Sequence, residues 1–345
     1  MTRFGVIGLG YWGQNYLRLI ARSPNAELVA IADTSRSLVE YSRRVAPAAV
    51  ASVEAADVVR RDDVDAIVIA TPATTHFALA REALLACKHV LCEKPLTMSV
   101  SDCEELILIA GDAGCTLFVG HTFVYNAAVR ATREFVSAGD LGSPLYAQAV
   151  WSAPGPVRHD VNALWDLAPH PVSILTYVLE RQPASVAATG QAILRPGRED
   201  VVSLHLRFDD SASADLHLSW LAPKKARGLT ITGARGIAVF DDMQAVNKLQ
   251  LFATAAATGN GVSPATGVPE RKVELPNEPV HAPDIAAGEP LSAQLEHFIE
   301  CCRHGLTPES DGMAGTNVVR VLAAAESSLR EGGRPVAVES RLRVA

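Results

Sequence analysis

The chain has 345 residues, 48% of them apolar and 20% charged, and a formal net charge of -7. Its length exceeds what a single core serves efficiently, so two domains are expected, and the acidic balance offers no basic surface for a phosphate backbone, so no nucleic-acid partner is expected. No stretch reaches the roughly 18 uninterrupted apolar residues of a membrane span, and the apolar run in MTRFGVIGLG is too short for a secretory signal, so the expected setting is the cytoplasm, with no membrane contact.

In chain order, the runs RFGVIGL, AELVAIAD, VDAIVIAT, KHVLCEK and CTLFVGH are short and β-branched, with segments of helix length between them. That alternation predicts βαβ units and a parallel sheet covered on both faces through about residue 120. Directly after the first strand, VIGLGYWGQNYLRLI sets Gly8, Gly10 and Gly13 in G-x-G-x-x-G spacing around Tyr11 and Trp12 as a helix opens. The first glycine makes the turn tight, the second lets a pyrophosphate reach the backbone, and the third allows close helix packing. The second strand ends at Asp33, 20 residues after Gly13, which is the offset of an acid that binds ribose hydroxyls. With Thr34 beside it, Asp33 would repel the additional phosphate of NADP, so NAD is the expected cofactor. Arg36, in the first turn of the next helix, could instead meet a 2′-phosphate.

Ligands of an open parallel sheet gather at the carboxyl ends of its strands, so Thr71, Pro72 and His76 of ATPATTHFALA are expected to face the cofactor. KHVLCEKP is the next strand, and Glu93 and Lys94 leave its carboxyl end. A lysine there can exchange a proton with a substrate hydroxyl or carbonyl while a hydride moves to or from the nicotinamide. Partial burial and the positive charge of the oxidised ring would both lower its pKa toward neutrality. Pro95 lacks an N–H and can adopt a cis bond, which would fix the turn.

From about residue 183 the pattern changes. SVAATGQAIL, DVVSLHLRF, SADLHLSWL, GLTITG, GIAVFD and KLQLF follow closely, and several alternate polar with apolar residues, as in an antiparallel sheet with one wet face. Residues 253–290, rich in Ala, Gly and Pro, predict a long mobile connection with one short strand at most. Helices are expected over 291–304 and 312–331. The fold class is therefore α/β: a Rossmann dinucleotide-binding domain over 1–120, then a substrate-binding and oligomerisation domain over 121–345 with a large, mainly antiparallel, open-faced sheet. The closing helices, 291–331, could pack back on the first domain. An exposed apolar sheet face predicts a homodimer or homotetramer. The six cysteines form no C-x-x-C pair and read as reduced core residues, with no metal expected.

G-L-G-Y-W-G at 8–13, A-T-P-A-T-T-H at 70–76 and C-E-K-P at 92–95 together resemble the Gfo/Idh/MocA oxidoreductases, and the second half of the chain also fits that family. The resemblance implies a second catalytic element, an Asp followed four residues later by a His, which LWDLAPHPVSIL supplies as Asp166 and His170. Ala168 stands where glycine is frequent. Pro171 disfavours a helix interior, so the segment should be a helix's first turns, where the dipole would keep His170 neutral. Within the family, VGHTFVYNAAVR and RHDVNALWDLAPH look most like the branch acting on nucleotide-linked sugars, which would place His121, Tyr125, Asn126, Arg158 and Asn162 near the substrate. The resemblance thus implies an NAD-dependent dehydrogenase or ketoreductase of a nucleotide-linked sugar, with a free sugar or cyclitol dehydrogenase as one alternative. A non-catalytic dinucleotide sensor is the other. A methyltransferase leaves EKP and the second sheet unexplained.

Overall fold

The structure is a computed structural model that describes residues 1–253, 260–262, 269–271, 279–285 and 287–339. In chain order the first elements are β1 (Thr2–Ile7), α1 (Tyr11–Ile20), β2 (Ala26–Ala32), α2 (Arg36–Ser42), β3 (Val50–Ser52), α3 (Ala55–Val59), β4 (Ala66–Ile69), α4 (His76–Leu85), β5 (His89–Glu93), α5 (Val100–Asp112) and β6 (Leu117–Gly120). Then come α6 (Ala127–Ser137), β7 (Pro144–Pro154), α7 (Ala163–Leu167), α8 (Pro169–Leu179), β8 (Ser185–Gln191), β9 (Val201–Arg207), β10 (Ser213–Ser219), β11 (Leu221–Gly233), β12 (Gly236–Asp241) and β13 (Leu249–Ala253). The last elements are β14 (Asn260–Val262), β15 (Pro269–Arg271), α9 (Pro290–His304), α10 (Gly312–Arg330) and β16 (Val336–Ala337). The chain divides into two compact units, one of Met1–Asn126, Gly288–Ala323 and Glu339–Ala345, the other of Ala127–Ala287 and Ala324–Val338, so the division falls within α10.

The first unit holds a parallel sheet in the order β3-β2-β1-β4-β5-β6, the doubly wound arrangement whose strand order reverses between β1 and β4. Every residue of β4 and β6 is buried, as expected of strands covered on both faces. The edge strand β3 is three residues long with Val50 48% exposed, too short and too wet to announce itself by pattern. Helix α9 belongs to this unit. Its Phe298 packs on Phe4 and Phe118, with ring centroids 6.0 and 5.4 Å apart, and Glu296 accepts a hydrogen bond from Ser23 at 2.6 Å.

The second unit holds an eight-stranded sheet in the order β13-β12-β11-β7-β10-β9-β8-β16, antiparallel except where β7 runs parallel to β10. Strand β7, in the middle, is absent from the expected set. Its alanines carry little β propensity, and its partners β10 and β11 come about seventy residues later in the chain, so only the pairing reveals it. One face, with Ala147, Trp151, Leu204 and Leu216 buried, meets α6, α7 and α8. The other face is mixed. Gln148, Ser203, His205 and His217 are exposed there, while Ile237, Val239 and Phe252 on β12 and β13 are half-buried, so the face is less apolar than expected.

Over 253–290 the described residues form two short antiparallel strands, β14 and β15, where one at most was expected, because three-residue pairs leave no readable alternation. The remainder of that expected mobile connection lies outside the described residues. Among the described residues no helix is long and apolar enough to cross a membrane, and no group of three or more His, Cys, Asp or Glu could hold a metal ion.

Candidate active site

The glycine loop is built by close contact. Gly8 has φ of +93°, and a Cβ there would sit 2.6 Å from the Ala70 carbonyl, while one on Gly13 would sit 1.9 Å from the Gly8 oxygen. Both positions therefore exclude a side chain. Gly10 is different: a Cβ there meets nothing within 4 Å, so this face of the loop is open. Gly10 also caps α1, which has no side-chain cap and no acidic residue in its first turn. Its first N–H groups and dipole are thus left for an anion. These features fit the pyrophosphate of a dinucleotide. Tyr11 and Trp12, 79% and 37% exposed, form an edge-to-face pair with centroids 5.4 Å apart beside the loop.

Asp33, just past β2, is gripped at both oxygens: Leu9 N donates to Oδ2 and Ser35 N to Oδ1, each at 2.7 Å. The carboxylate is therefore tied to the glycine loop itself. Thr34 and Arg36 are exposed beside it.

Past β4, Pro72 is exposed and the Thr75 hydroxyl donates to Thr71 Oγ1 at 2.7 Å. His76 is 1% exposed, its Nδ1 2.8 Å from the Pro95 carbonyl and its Nε2 2.9 Å from that of Thr71. It joins the turn after β4 to the turn after β5. The Lys94–Pro95 peptide is cis, and Lys94 is half-buried. Glu93 is buried, its Oε1 accepting from the Tyr16 hydroxyl at 2.7 Å and its Oε2 from Lys94 N at 3.3 Å; burial raises its pKa above the usual carboxylate range.

His121, immediately past β6, is 1% exposed, and neither ring nitrogen has a hydrogen-bond partner among the described residues. Burial, with a further push from the Lys94 ammonium, lowers its pKa to about 3, so the ring is neutral. Buried polar atoms without partners are rare and call for a ligand or water. Tyr125 instead packs on Phe118 and shares a 2.9 Å hydrogen bond with His297 of α9, and Asn126 is buried next to it.

The other predicted residues lie in the second unit. Asn162 caps α7 by accepting from Trp165 N at 3.2 Å and donates to Glu199 at 2.7 Å. Arg158 holds Asp160 with two nitrogens at 2.9 and 2.6 Å, and its Nη1 lies 3.6 Å from Asp166. Asp166 also accepts from Trp220 Nε1 at 3.0 Å, a partner no motif indicates. His170 falls in the first turn of α8, as Pro171 predicts, with Pro169 at the helix start, and its ring lies against Trp151 with centroids 5.9 Å apart.

A doubly wound sheet with an anion-ready glycine loop, an anchored acid after β2 and a lysine at the end of β5 defines a nicotinamide-dependent oxidoreductase. Two family models match the chain: one for an oxidoreductase family with an NAD-binding Rossmann fold over residues 2–121, and one for the GFO/IDH/MocA C-terminal domain over residues 129–239. The chain belongs to the Gfo/Idh/MocA oxidoreductase family. It is 29% identical over 325 residues to the UDP-N-acetylglucosamine 3-dehydrogenase of Acidithiobacillus ferrooxidans, covering 94% of this chain and 95% of that one. It is 24% identical over 344 residues to the scyllo-inositol 2-dehydrogenase (NAD(+)) of Bacillus subtilis, covering 96% and 95%. Among solved structures it superposes on the WlbA dehydrogenase of Bordetella pertussis, crystallised with NADH and UDP-GlcNAcA, with a TM-score of 0.78 at 23% identity, covering 99% of each chain.

Proposed function

We propose that this protein is an NAD-dependent dehydrogenase of a nucleotide-linked sugar, oxidising a ring hydroxyl, at C3 by analogy with the Acidithiobacillus relative, or reducing the corresponding ketone. The observation that carries this reading is the pair Lys94 and His121: a half-buried amine at the carboxyl end of β5, close enough to lower the pKa of a neutral imidazole whose two nitrogens have no described partner. Such a pair is equipped to receive an oxygen-bearing substrate. Gly8, Gly10, Gly13 and Asp33 would hold NAD, which supplies the hydride acceptor, or the donor in the reverse direction.

In the oxidising direction the substrate C–H bond breaks as a hydride and its O–H proton passes to Lys94. The roles of His170 in proton handling and of Asp166, held by Trp220, in orienting the substrate or the imidazole rest on the family resemblance. The roles of Tyr125, Asn126, Arg158 and Asn162 at the substrate rest on the family resemblance. The inositol dehydrogenase among the relatives keeps a free cyclitol as the second reading. The mixed open face of the large sheet is the surface on which we place self-association, as a dimer or tetramer. Incubating the purified protein and NAD with a panel of UDP-sugars, free sugars and inositols, and following absorbance of the reduced cofactor, tests the reading. Turnover confined to free cyclitols would replace the first substrate class by the second.

A further inference from the structure

The hairpin between β8 and β9 carries two arginines that the proposed reaction does not use. Its tip is Arg195-Pro196-Gly197-Arg198, with Gly197 at φ of +73° and Arg198 N donating to the Arg195 carbonyl at 3.3 Å. Proline in the second position and a left-handed glycine in the third suit a type II turn, and the turn makes Arg195 and Arg198 an antiparallel bridge pair. Residues paired in this way lie on one face with Cβ atoms about 4.5–5.5 Å apart, and like charges there repel. Among the described residues neither arginine meets a carboxylate. Arg195 Nη1 donates to His159 Nδ1 at 2.6 Å, and Arg198 Nη1 is buried with no hydrogen-bond partner. The frame around them is nevertheless fixed. Asp200, 1% exposed, accepts from Ile193 N and Leu194 N at Oδ2, both at 2.7 Å, which sets the shape of the hairpin; its Oδ1 is buried without a described partner. Glu199 accepts from Asn162 Nδ2 at 2.7 Å, and its carbonyl accepts from Ala163 N at 2.9 Å. The hairpin is thereby tied to the segment that carries Arg158 and Asn162. Arg158 is itself engaged by Asp160 and Asp166, so Arg195 and Arg198 are the cations of this region that lack an acidic partner.

We propose that Arg195 and Arg198 bind the diphosphate of the substrate, and that Ile193 and Leu194, 59% and 52% exposed directly before them, offer apolar surface to its base. The inference rests on the reading of the substrate as a nucleotide-linked sugar. A guanidinium presents a planar fork that matches a phosphate, and two forks held side by side match two linked phosphates, whereas a lone carboxylate would engage one of them. The negative charge also relieves the repulsion that the turn builds into the pair. The pyrophosphate of NAD is already accounted for by the glycine loop of the first unit, so the hairpin of the second unit serves a different diphosphate.

The test is isothermal calorimetry of UDP on the full chain, with NAD saturating the glycine loop, for the wild type, Arg198→Glu and Arg195→Gln. Arg198→Glu turns a repelling cross-strand pair into an attracting one, so the melting temperature of the apoprotein should rise while the Kd for UDP rises at least about tenfold. Arg195→Gln should weaken UDP by a similar factor, and it carries the test alone should Arg198→Glu fail to fold. A merely structural role predicts the reverse: lower melting temperatures with the Kd unaltered. In kinetics with a UDP-linked N-acetylhexosamine the loss should appear in KM rather than kcat, with the Kd for NAD unchanged. Inorganic pyrophosphate should compete with UDP but bind more weakly; equal affinity would overturn the placing of the base on Ile193 and Leu194. UDP affinity unaltered in both variants overturns the inference. The two readings also fail separately. UDP-sugar turnover with an unchanged KM in both variants removes this inference alone, whereas a wild type that neither binds UDP nor oxidises any UDP-sugar removes the substrate reading and this inference with it.

Discussion

Replacing Asp33 tests the link between cofactor choice and the glycine loop. The side chain accepts two backbone N–H groups at 2.7 Å, one of them from Leu9 inside the loop, so Asp33→Ala removes two charge-assisted bonds at once. Bonds of that kind contribute about 1.5–3 kcal/mol each, and with solvent reaching a half-buried carboxylate the pair is worth about 2–4 kcal/mol. Part of that loss appears as a lower melting temperature of the apoprotein. The rest appears in binding, because the cofactor must then order the loop itself and also loses its ribose acceptor. A binding loss of about 2–3 kcal/mol corresponds to a Kd for NAD raised roughly 30- to 150-fold. Asp33→Asn retains one acceptor and turns a donor toward the other N–H, so it should fall between the two. Isothermal calorimetry with NAD and NADP on all three proteins checks this, and NAD should exceed NADP on the wild type by a margin that shrinks in the variants. NADP binding more tightly to the wild type would refute the reasoning and make Arg36 the determinant, as would an Asp33→Ala protein with unaltered melting temperature and Kd.

Two glycine substitutions should behave oppositely: Gly10→Ala projects its methyl into open space and should fold normally yet weaken NAD binding at least tenfold, whereas Gly13→Ala, 1.9 Å from the Gly8 oxygen, should lower the melting temperature as well. Thermal melts with and without NAD separate them. For His121, whose pKa in the fold is about 3 against 6.5 for an ordinary histidine, the unfolded chain binds the proton first, so the wild type should lose stability as pH falls below about 6.5 toward 3, by up to about 1.4 kcal/mol per pH unit. Denaturant titrations of His121→Leu at pH 7.5 and 5 should show a shallower loss than the wild type. On the large sheet, Val239→Glu should shift the light-scattering mass toward the monomer if the open face is the self-association surface; an unchanged mass would place that surface elsewhere.

The glycine loop and the acid tied to it were legible in the sequence because each depends on local chemistry. Gly8 and Gly13 are glycine for contacts within a few ångströms, and Asp33 is separated from the loop by one helix and one strand. Pro171, directly after His170, pointed to a helix's first turns, and His170 lies in the first turn of α8. What escaped notice depends on distant pairing. Strand β7 has partners far along the chain, and Tyr16, Gln294 and Trp220 look like ordinary core residues until folding sets them against Glu93 and Asp166. Glu93 was legible as a residue of interest but not as a buried one, since a carboxylate at a strand end usually meets water.

The most direct measurement is single-turnover reduction of NAD by Lys94→Ala with a UDP-linked N-acetylhexosamine that the wild type oxidises, alongside NAD binding to the same variant. The rate should fall by about 10²–10⁴ with the Kd for NAD nearly unchanged, and Lys94→Arg should recover little, because a guanidinium does not give up its proton. A Lys94→Ala enzyme that reduces NAD at a rate close to the wild type would contradict the assignment of proton transfer to the end of β5.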